Sequence, residues 1–232
     1  MPIEVWTWPT PNAHKVHIAL EELGLPYTVV PVNIGAGEQF RPDFLAITPN
    51  HRIPAIVDPE GPGGQRLTLF ESGAILVYLA EKTGRLLPAD PAGRYRALEW
   101  LMFQMGGVGP MFGQYGHFHA YAPEDVPYAK ARYAKEVQRL HRVLDKRLSE
   151  AAFLAGAEYS IADIATFPWV RNPERRKIDL SEFPHVRRWH DAIAARPAVQ
   201  RGVHVLAANQ RVGGMTDQER ENLFGNTQFQ AR

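Results

Sequence analysis

The chain has 232 residues, 45% hydrophobic and 22% charged, an ordinary globular composition with room for one large domain or two small ones. Lys and Arg total 26 against 25 for Asp and Glu, a formal charge of +1, so no broad field recruits nucleic acid or anionic lipid. Cysteine is absent, which excludes disulfides, thiolate metal sites and a cysteine nucleophile; any thiol chemistry has to use a borrowed thiol.

Met1 to Trp8 include Glu4 and lack a basic start followed by an apolar core, which argues against a signal peptide. The longest apolar run, Ala74 to Ala80, is far short of a membrane span. A cytoplasmic protein with no membrane partner is expected.

In chain order, residues 3 to 8 alternate enough for a strand, which Pro9-Thr10-Pro11-Asn12 ends. A helix follows, with Thr10 as N-cap, Pro11 at N1, Val16, Ala19, Leu20 and Leu23 on its apolar face, and Gly24 past its end. Tyr27 to Val32 is β-branched and reads as a second strand, so the start of the chain is a parallel βαβ unit. Gly35 to Leu45 is a turn followed by a short helix.

Asn50 to Asp58 then carries Ile53-Pro54-Ala55, with a short buried strand over Ala55 to Val57. Leu67 to Phe70 is its hairpin partner across a Gly/Pro-rich turn. Proline cannot donate to a ladder, so Pro54 belongs at the start of its strand, leaving the amide and carbonyl of Ile53 available to a peptide-like ligand. Glu71-Ser72-Gly73 opens a helix bearing Ile75, Leu76, Tyr78 and Leu79 and ending at Gly84. The helix N-terminus at Ser72 would hold a carboxylate and Glu71 beside it an ammonium. Carboxylate and ammonium on one carbon is an amino acid.

The order βαβ then ββα is thioredoxin-like, and Ile53-Pro54-Ala55 followed by Glu71-Ser72 at a strand-to-helix junction resembles the glutathione-binding half of the glutathione transferases. The resemblance implies a cis proline at Pro54 and backbone pairing of Ile53 with the cysteine of glutathione. It implies Glu71 and Ser72 on the γ-glutamyl end, Gln39 at the glycine end, and Arg52 as a cation near that carboxylate. His51 stands where this family often has Gly or Asn. In this fold the first helix starts beside the cis proline, so Thr10 and Asn12 would face a bound thiol. Read locally, Thr10 is an N-cap and Asn12 a first-turn polar residue; both can also donate hydrogen bonds to sulfur.

Other members use tyrosine, serine or cysteine for the thiol, whereas here the first tyrosine is Tyr27 and the first serine Ser72. Thr10-Pro11-Asn12 is similar to the bacterial Nu class, whose members resemble the globular part of the yeast prion-forming nitrogen regulator and act mainly as glutathione-dependent disulfide reductases. Trp100 to Gln114 carries that class's most specific run, Trp-Leu-x-x-Gln-Met-Gly-Gly-x-Gly-Pro-Met-x-Gly-Gln.

A linker over residues 85–93 is expected between the thioredoxin-like domain, residues 1–84, and an all-α C-terminal domain, residues 94–208. Arg94 to Met105 is helical, and Gly106-Gly107 and Gly109-Pro110 mark a kink or break before Met111 to Phe118. In the resemblance, this kink lets the helix line a second substrate pocket. His117 and His119 diverge on a helix and no carboxylate or cysteine completes a set, so no metal is expected. Tyr128 to Ala151 is a long amphipathic helix with a strongly basic exposed side that includes Arg132. By itself Arg132 is a solvated arginine; the resemblance implies a homodimer in which it crosses to the neighbour's glutathione.

Ser160 and Asp163 form a capping box with a folding role. Helices follow to Trp169, over Pro184 to Ala195 and after Pro197. From Asn209 the chain turns polar and aperiodic, and a flexible tail over residues 209–232 is expected. The expected activity is disulfide reduction by bound glutathione, with organic hydroperoxide reduction by the same sulfur. A conjugating transferase and a noncatalytic glutathione-binding regulator are the rivals.

Overall fold

A computed structural model describes residues 1–211 and 213–230. β1 (Ile3–Thr7), α1 (Pro11–Leu23) and β2 (Tyr27–Pro31) form the expected βαβ unit, with β1 and β2 parallel and Ile3 opposite Tyr27. Thr10 is extended at φ −126°, ψ 161°, and accepts from the Ala13 amide at 3.4 Å, while Gly24 closes the helix at φ 69°. A short turn of helix, α2 (Pro42–Leu45), follows and buries Phe44.

β3 (Ala55–Asp58) and β4 (Leu67–Phe70) pair antiparallel, and β3 also runs antiparallel to β1, which gives the sheet order β2-β1-β3-β4. The Ile53-Pro54 bond is cis and the ladder starts at Ala55, so Ile53 lies outside it. α3 (Ser72–Thr83) begins one residue after β4 and ends at Gly84, φ 66°.

The helical half begins earlier than the proposed linker allows. α4 (Pro91–Phe103) is capped by Asp90, whose side chain accepts from the Gly93 amide at 2.8 Å, with Pro91 in its first turn. Of the kink or break expected at the glycines, there is no break: the helix changes register. Gln104–Val108 forms a π-helical turn with right-handed backbone on both sides, and the chain runs directly into α5 (Gly109–Gly116) and a second π turn, His117–Tyr121. An i→i−5 bond from the Gly109 amide to the Gln104 carbonyl accommodates the extra residue, rotating later side chains around the axis without ending the helix.

α6 (Pro127–Glu150), α7 (Ile161–Val170), α8 (Pro184–Ala194) and α9 (Pro197–His204) complete the bundle. The predicted capping box starts α7. Asp163, 0% exposed, accepts from Leu154 N, Ser160 N, Ser160 Oγ and Trp189 Nε1 at 2.8–3.0 Å, so its burial is matched by four donors.

One apolar core runs through both halves, joining Val5, Ile18 and Leu76 to Leu101, Ile164 and Trp189, because α1 packs on α7 and α9. A smaller cluster of Val32, Phe44, Ala55 and Val57 covers the other side of the sheet.

The stretch expected to be a flexible tail carries a helix, α10 (Asp217–Phe224). Thr216 and Glu219 form a capping box, a Thr-x-x-Glu signal that the polar composition masked. The helix docks through Asn222, 6% exposed, whose Nδ2 donates to Gly35 O at 2.8 Å, and through Phe224, whose ring meets His117 edge-on at 4.6 Å.

Candidate functional site

The start of α1, the loop before β3 and the α2 approach enclose a cleft of about 190 Å³ lined by Thr10, Asn12, Gln39, Arg52, Ile53 and Trp169. Five of the predicted site residues therefore converge there. Trp169, which the sequence marks only as the end of a helix, joins them in the wall.

Thr10 is both cap and candidate donor. Its Oγ accepts from Ala13 N, which leaves the hydroxyl proton for a ligand. At Asn12 the orientation is set from the second domain: the indole Nε1 of Trp169 donates to Asn12 Oδ1 at 3.1 Å. Indole can only donate, so the asparagine carbonyl faces Trp169 and both amide hydrogens remain available on the other side. With the positive end of a 13-residue helix behind them, these donors suit an anion.

Around this anion position the loops are held in demanding conformations. His51, next to Arg52 on the cleft wall, has φ 55° and meets Phe40 edge-on at 5.8 Å. A left-handed residue explains why Gly or Asn suits this position. Gln39 is 1% exposed; its Nε2 donates to Asn222 O of α10 at 3.1 Å, whereas Oε1 is buried without a partner. Leu223 of α10 supplies another part of the wall.

Pro54 is buried directly after Ile53. Glu71 and Ser72 stand at the N-terminus of α3 and do not line this cleft. Glu71 is exposed with φ 69°, a strained value for a residue with a side chain, and its carbonyl accepts from Ile75 N at 2.9 Å. Ser72 is buried, and its Oγ accepts from Lys15 Nζ at 3.2 Å. Lys15 was not singled out in the sequence because a lysine among apolar helix positions reads as solvated. Arg132 is exposed on α6 and is not part of the cleft wall in this chain. His117 and His119 are engaged with aromatic neighbours, and among the described residues no group of three or more His, Cys, Asp or Glu could hold a metal ion.

A thioredoxin-like sheet carrying a helix N-terminus and a cis proline, packed on a helical bundle, defines the class. The glutathione S-transferase N-terminal domain matches residues 1–81 and the glutathione S-transferase C-terminal domain matches residues 108–197; the chain belongs to the glutathione S-transferase family. Among relatives, it is 52% identical to the disulfide-bond oxidoreductase YfcG of Escherichia coli (strain K12), covering 84% of this chain and 92% of that one. A Burkholderia graminis glutathione transferase with two glutathione molecules bound per subunit is 50% identical, with TM-score 0.84 and 88% of each chain covered. A Pseudomonas putida glutathione transferase with one glutathione disulfide per subunit is 49% identical, with TM-score 0.85, covering 88% of this chain and 92% of that one. Among the described residues no helix is long and apolar enough to cross a membrane.

Proposed function

We propose that the chain is a glutathione-dependent disulfide-bond reductase that holds glutathione in the cleft at the start of α1 and uses its sulfur in place of a cysteine. The observation that carries this reading is the convergence of Thr10 and Asn12, each with a donor to spare, on one cleft of a chain without cysteine. The activity in the name of the Escherichia coli relative, and the glutathione pair or glutathione disulfide in the two bacterial neighbours, support thiol–disulfide exchange.

The Thr10 hydroxyl, the Asn12 amide and the positive end of α1 stabilise the sulfur as a thiolate. Attack on one sulfur of an organic disulfide forms a bond to glutathione and breaks the substrate S–S bond, and the departing thiolate takes a proton. A second glutathione gives up its thiol proton and attacks the glutathione sulfur of the mixed disulfide. Oxidised glutathione forms and the remaining substrate thiol leaves, so two glutathiones supply the two electrons.

In this reading Arg52 is the cation for the glycine carboxylate, and Gln39 contacts the same end through its unpaired Oε1, which accepts a glycine-end N–H. Ile53 pairs through its backbone with the cysteine unit beside Pro54, and Glu71 and Ser72 take the γ-glutamyl ammonium and carboxylate. Arg132 reaches the partner's glutathione in a homodimer. Residues 1–84 form the glutathione-binding domain and the helical domain runs from α4 at Pro91 to about residue 208, in a protein of the reducing cytoplasm. Organic hydroperoxides are a second substrate class for the same sulfur.

The test is turnover of a small organic disulfide with glutathione, beside an aryl halide and beside glutathione affinity. Thr10→Ala combined with Asn12→Ala lowers disulfide turnover about 100-fold and changes glutathione affinity less. Unchanged turnover in the double variant removes both residues from the mechanism. Aryl-halide conjugation exceeding disulfide turnover makes the protein a conjugating transferase, and tight binding without either activity makes it a glutathione-binding regulator.

A further inference from the structure

Lys15, on α1, is 1% exposed, yet none of its hydrogen-bond partners is a carboxylate. Its ammonium donates to Gln104 Oε1 at 2.6 Å, Ser72 Oγ at 3.2 Å and Met105 Sδ at 3.3 Å. Lysine is almost never fully buried unless paired, because an ammonium surrounded by neutral acceptors loses more solvation than it regains. Burial lowers its pKa to about 7, and Glu71 acts in the opposite direction.

The most specific run in the sequence, Trp100 to Gln114, is built around this side chain. Gln104 and Met105 belong to it and both hold Lys15. A Cβ on Gly73 would come within 3.1 Å of Met105 Cγ and 3.2 Å of its Sδ. A Cβ on Gly109 would lie 2.8 Å from Gln104 Nε2. These two glycines let the second domain reach across to the lysine.

We propose that Lys15 is a positioning residue for the γ-glutamyl carboxylate of glutathione, acting through Ser72 and held in place by Gln104 and Met105. An ammonium has only donors, so Ser72 Oγ must accept from it, and the serine proton goes to Met105 Sδ at 3.8 Å, a weak acceptor that an arriving carboxylate displaces. A carboxylate arriving at Ser72 adds an anion beside the ammonium's neutral hydrogen-bond partners, on top of the charge of Glu71. The groups around Lys15 are Ser72 on α3 and Gln104 and Met105 from the helical half; Glu71, beside Ser72, is the titratable group acting on it. A bound carboxylate therefore favours the protonated lysine, and binding near neutral pH takes up a proton. This rests on the assignment of Ser72 to the γ-glutamyl end made above.

Isothermal titration of S-methylglutathione into the full chain tests it, since the capped sulfur cannot titrate. Buffers of different ionisation heat report the protons exchanged. For the wild type, net proton uptake is expected at about pH 7.5, with weaker binding at about pH 8 than at about pH 6. Lys15→Met, close in length and uncharged, raises the Kd about tenfold, the lower end of what a hydrogen bond to a charged group contributes, and abolishes both the uptake and the pH dependence. Ser72→Ala removes the linkage too, and adding Lys15→Met to it costs little more. Comparison with Lys15→Met also subtracts titration of the ligand amine. Uptake that persists in Lys15→Met, or its absence in a wild type that binds, overturns the proposal while leaving the glutathione reading intact. No binding of S-methylglutathione or glutathione by the wild type overturns both. Should Lys15→Met fail to fold, the wild-type proton count decides alone.

Discussion

Trp169→Phe isolates the contribution of one N–H to the anion site. The indole donates to Asn12 Oδ1 at 3.1 Å across the two halves of the chain. Phenylalanine keeps an aromatic ring against Gly113, whose Cβ position lies 3.6 Å from the indole edge, and near Arg176, 6.0 Å from its centroid. What it removes is the N–H that tells the Asn12 amide which way to face. Once freed, the amide can present its carbonyl oxygen to the thiolate, an orientation that repels rather than stabilises. A neutral hydrogen bond is worth about 1 kcal/mol net, roughly a fivefold preference. That preference keeps roughly five-sixths of the amides productive and its loss leaves roughly half, so the variant should lose about 1.7-fold in kcat/KM for a small organic disulfide, followed by coupling formation of oxidised glutathione to its reduction. In an Asn12→Ala background the same change should leave kcat/KM unaltered, because no amide is left to orient. An equal loss in both backgrounds would refute the reasoning and assign Trp169 a packing role.

Truncation after Gln210 removes α10, frees Gln39 Nε2 from Asn222 O and takes away the Leu223 wall. Glutathione should then both associate and dissociate faster in stopped-flow binding, and unchanged rates would mean that α10 does not cover the ligand. Three buried histidines predict an acid limit. Burial lowers His14 to about 4, His17 to about 3 and His141 to about 4, with His14 also opposed by Arg171 and His17 by His14. Each folded pKa is depressed, so the unfolded chain binds the extra protons. Stability is fully present above about pH 6.5 and falls toward pH 4 by up to about 1.4 kcal/mol per pH unit for each histidine. Urea midpoints across that range measure the slope, and His141→Phe should reduce it by about a third.

The first half was legible because its signals are local. Thr10-Pro11 and Gly24 bound α1, Gly84 ends α3, and a Gly/Pro turn joins β3 to β4. What escaped depends on contacts distant in sequence. Lys15 meets partners 57 and 89 residues away and Trp169 meets Asn12 across 157, so no window of periodicity contains either pair. Gly106-Gly107 and Gly109-Pro110 mark a kink or break because glycine and proline disfavour helix, but the pattern does not say which, and the chain stays helical with the extra residue absorbed in a π turn. α10 was missed for the opposite reason: its capping box is local, but its polar composition outweighed that signal.

Both proposed anchors in the first domain are oriented from the second, Asn12 by Trp169 and Ser72 through Lys15 by Gln104 and Met105. Thr10, Asn12 and Lys15 lie at the cap and in the first turns of α1, so the seating of α1 sets all three at once. That seating is tight at Gly202 of α9. A Cβ there would come 2.8 Å from both the amide nitrogen and the Cα of Ile18, and backbone atoms inside a helix cannot rotate away. Arg196 clamps the same interface with two bonds to Glu22, at 2.6 and 2.9 Å. Gly202→Ala must therefore displace α9 from α1, costing about 1–3 kcal/mol as overpacking does, and it shifts the donors without touching any of them. Well below its unfolding midpoint, where the chain is folded, the variant should still lose disulfide turnover and weaken glutathione binding together. A folded Gly202→Ala with wild-type kcat and KM would show that the site tolerates movement of its first helix, and the claim that the second domain orients the donors would then fail with it.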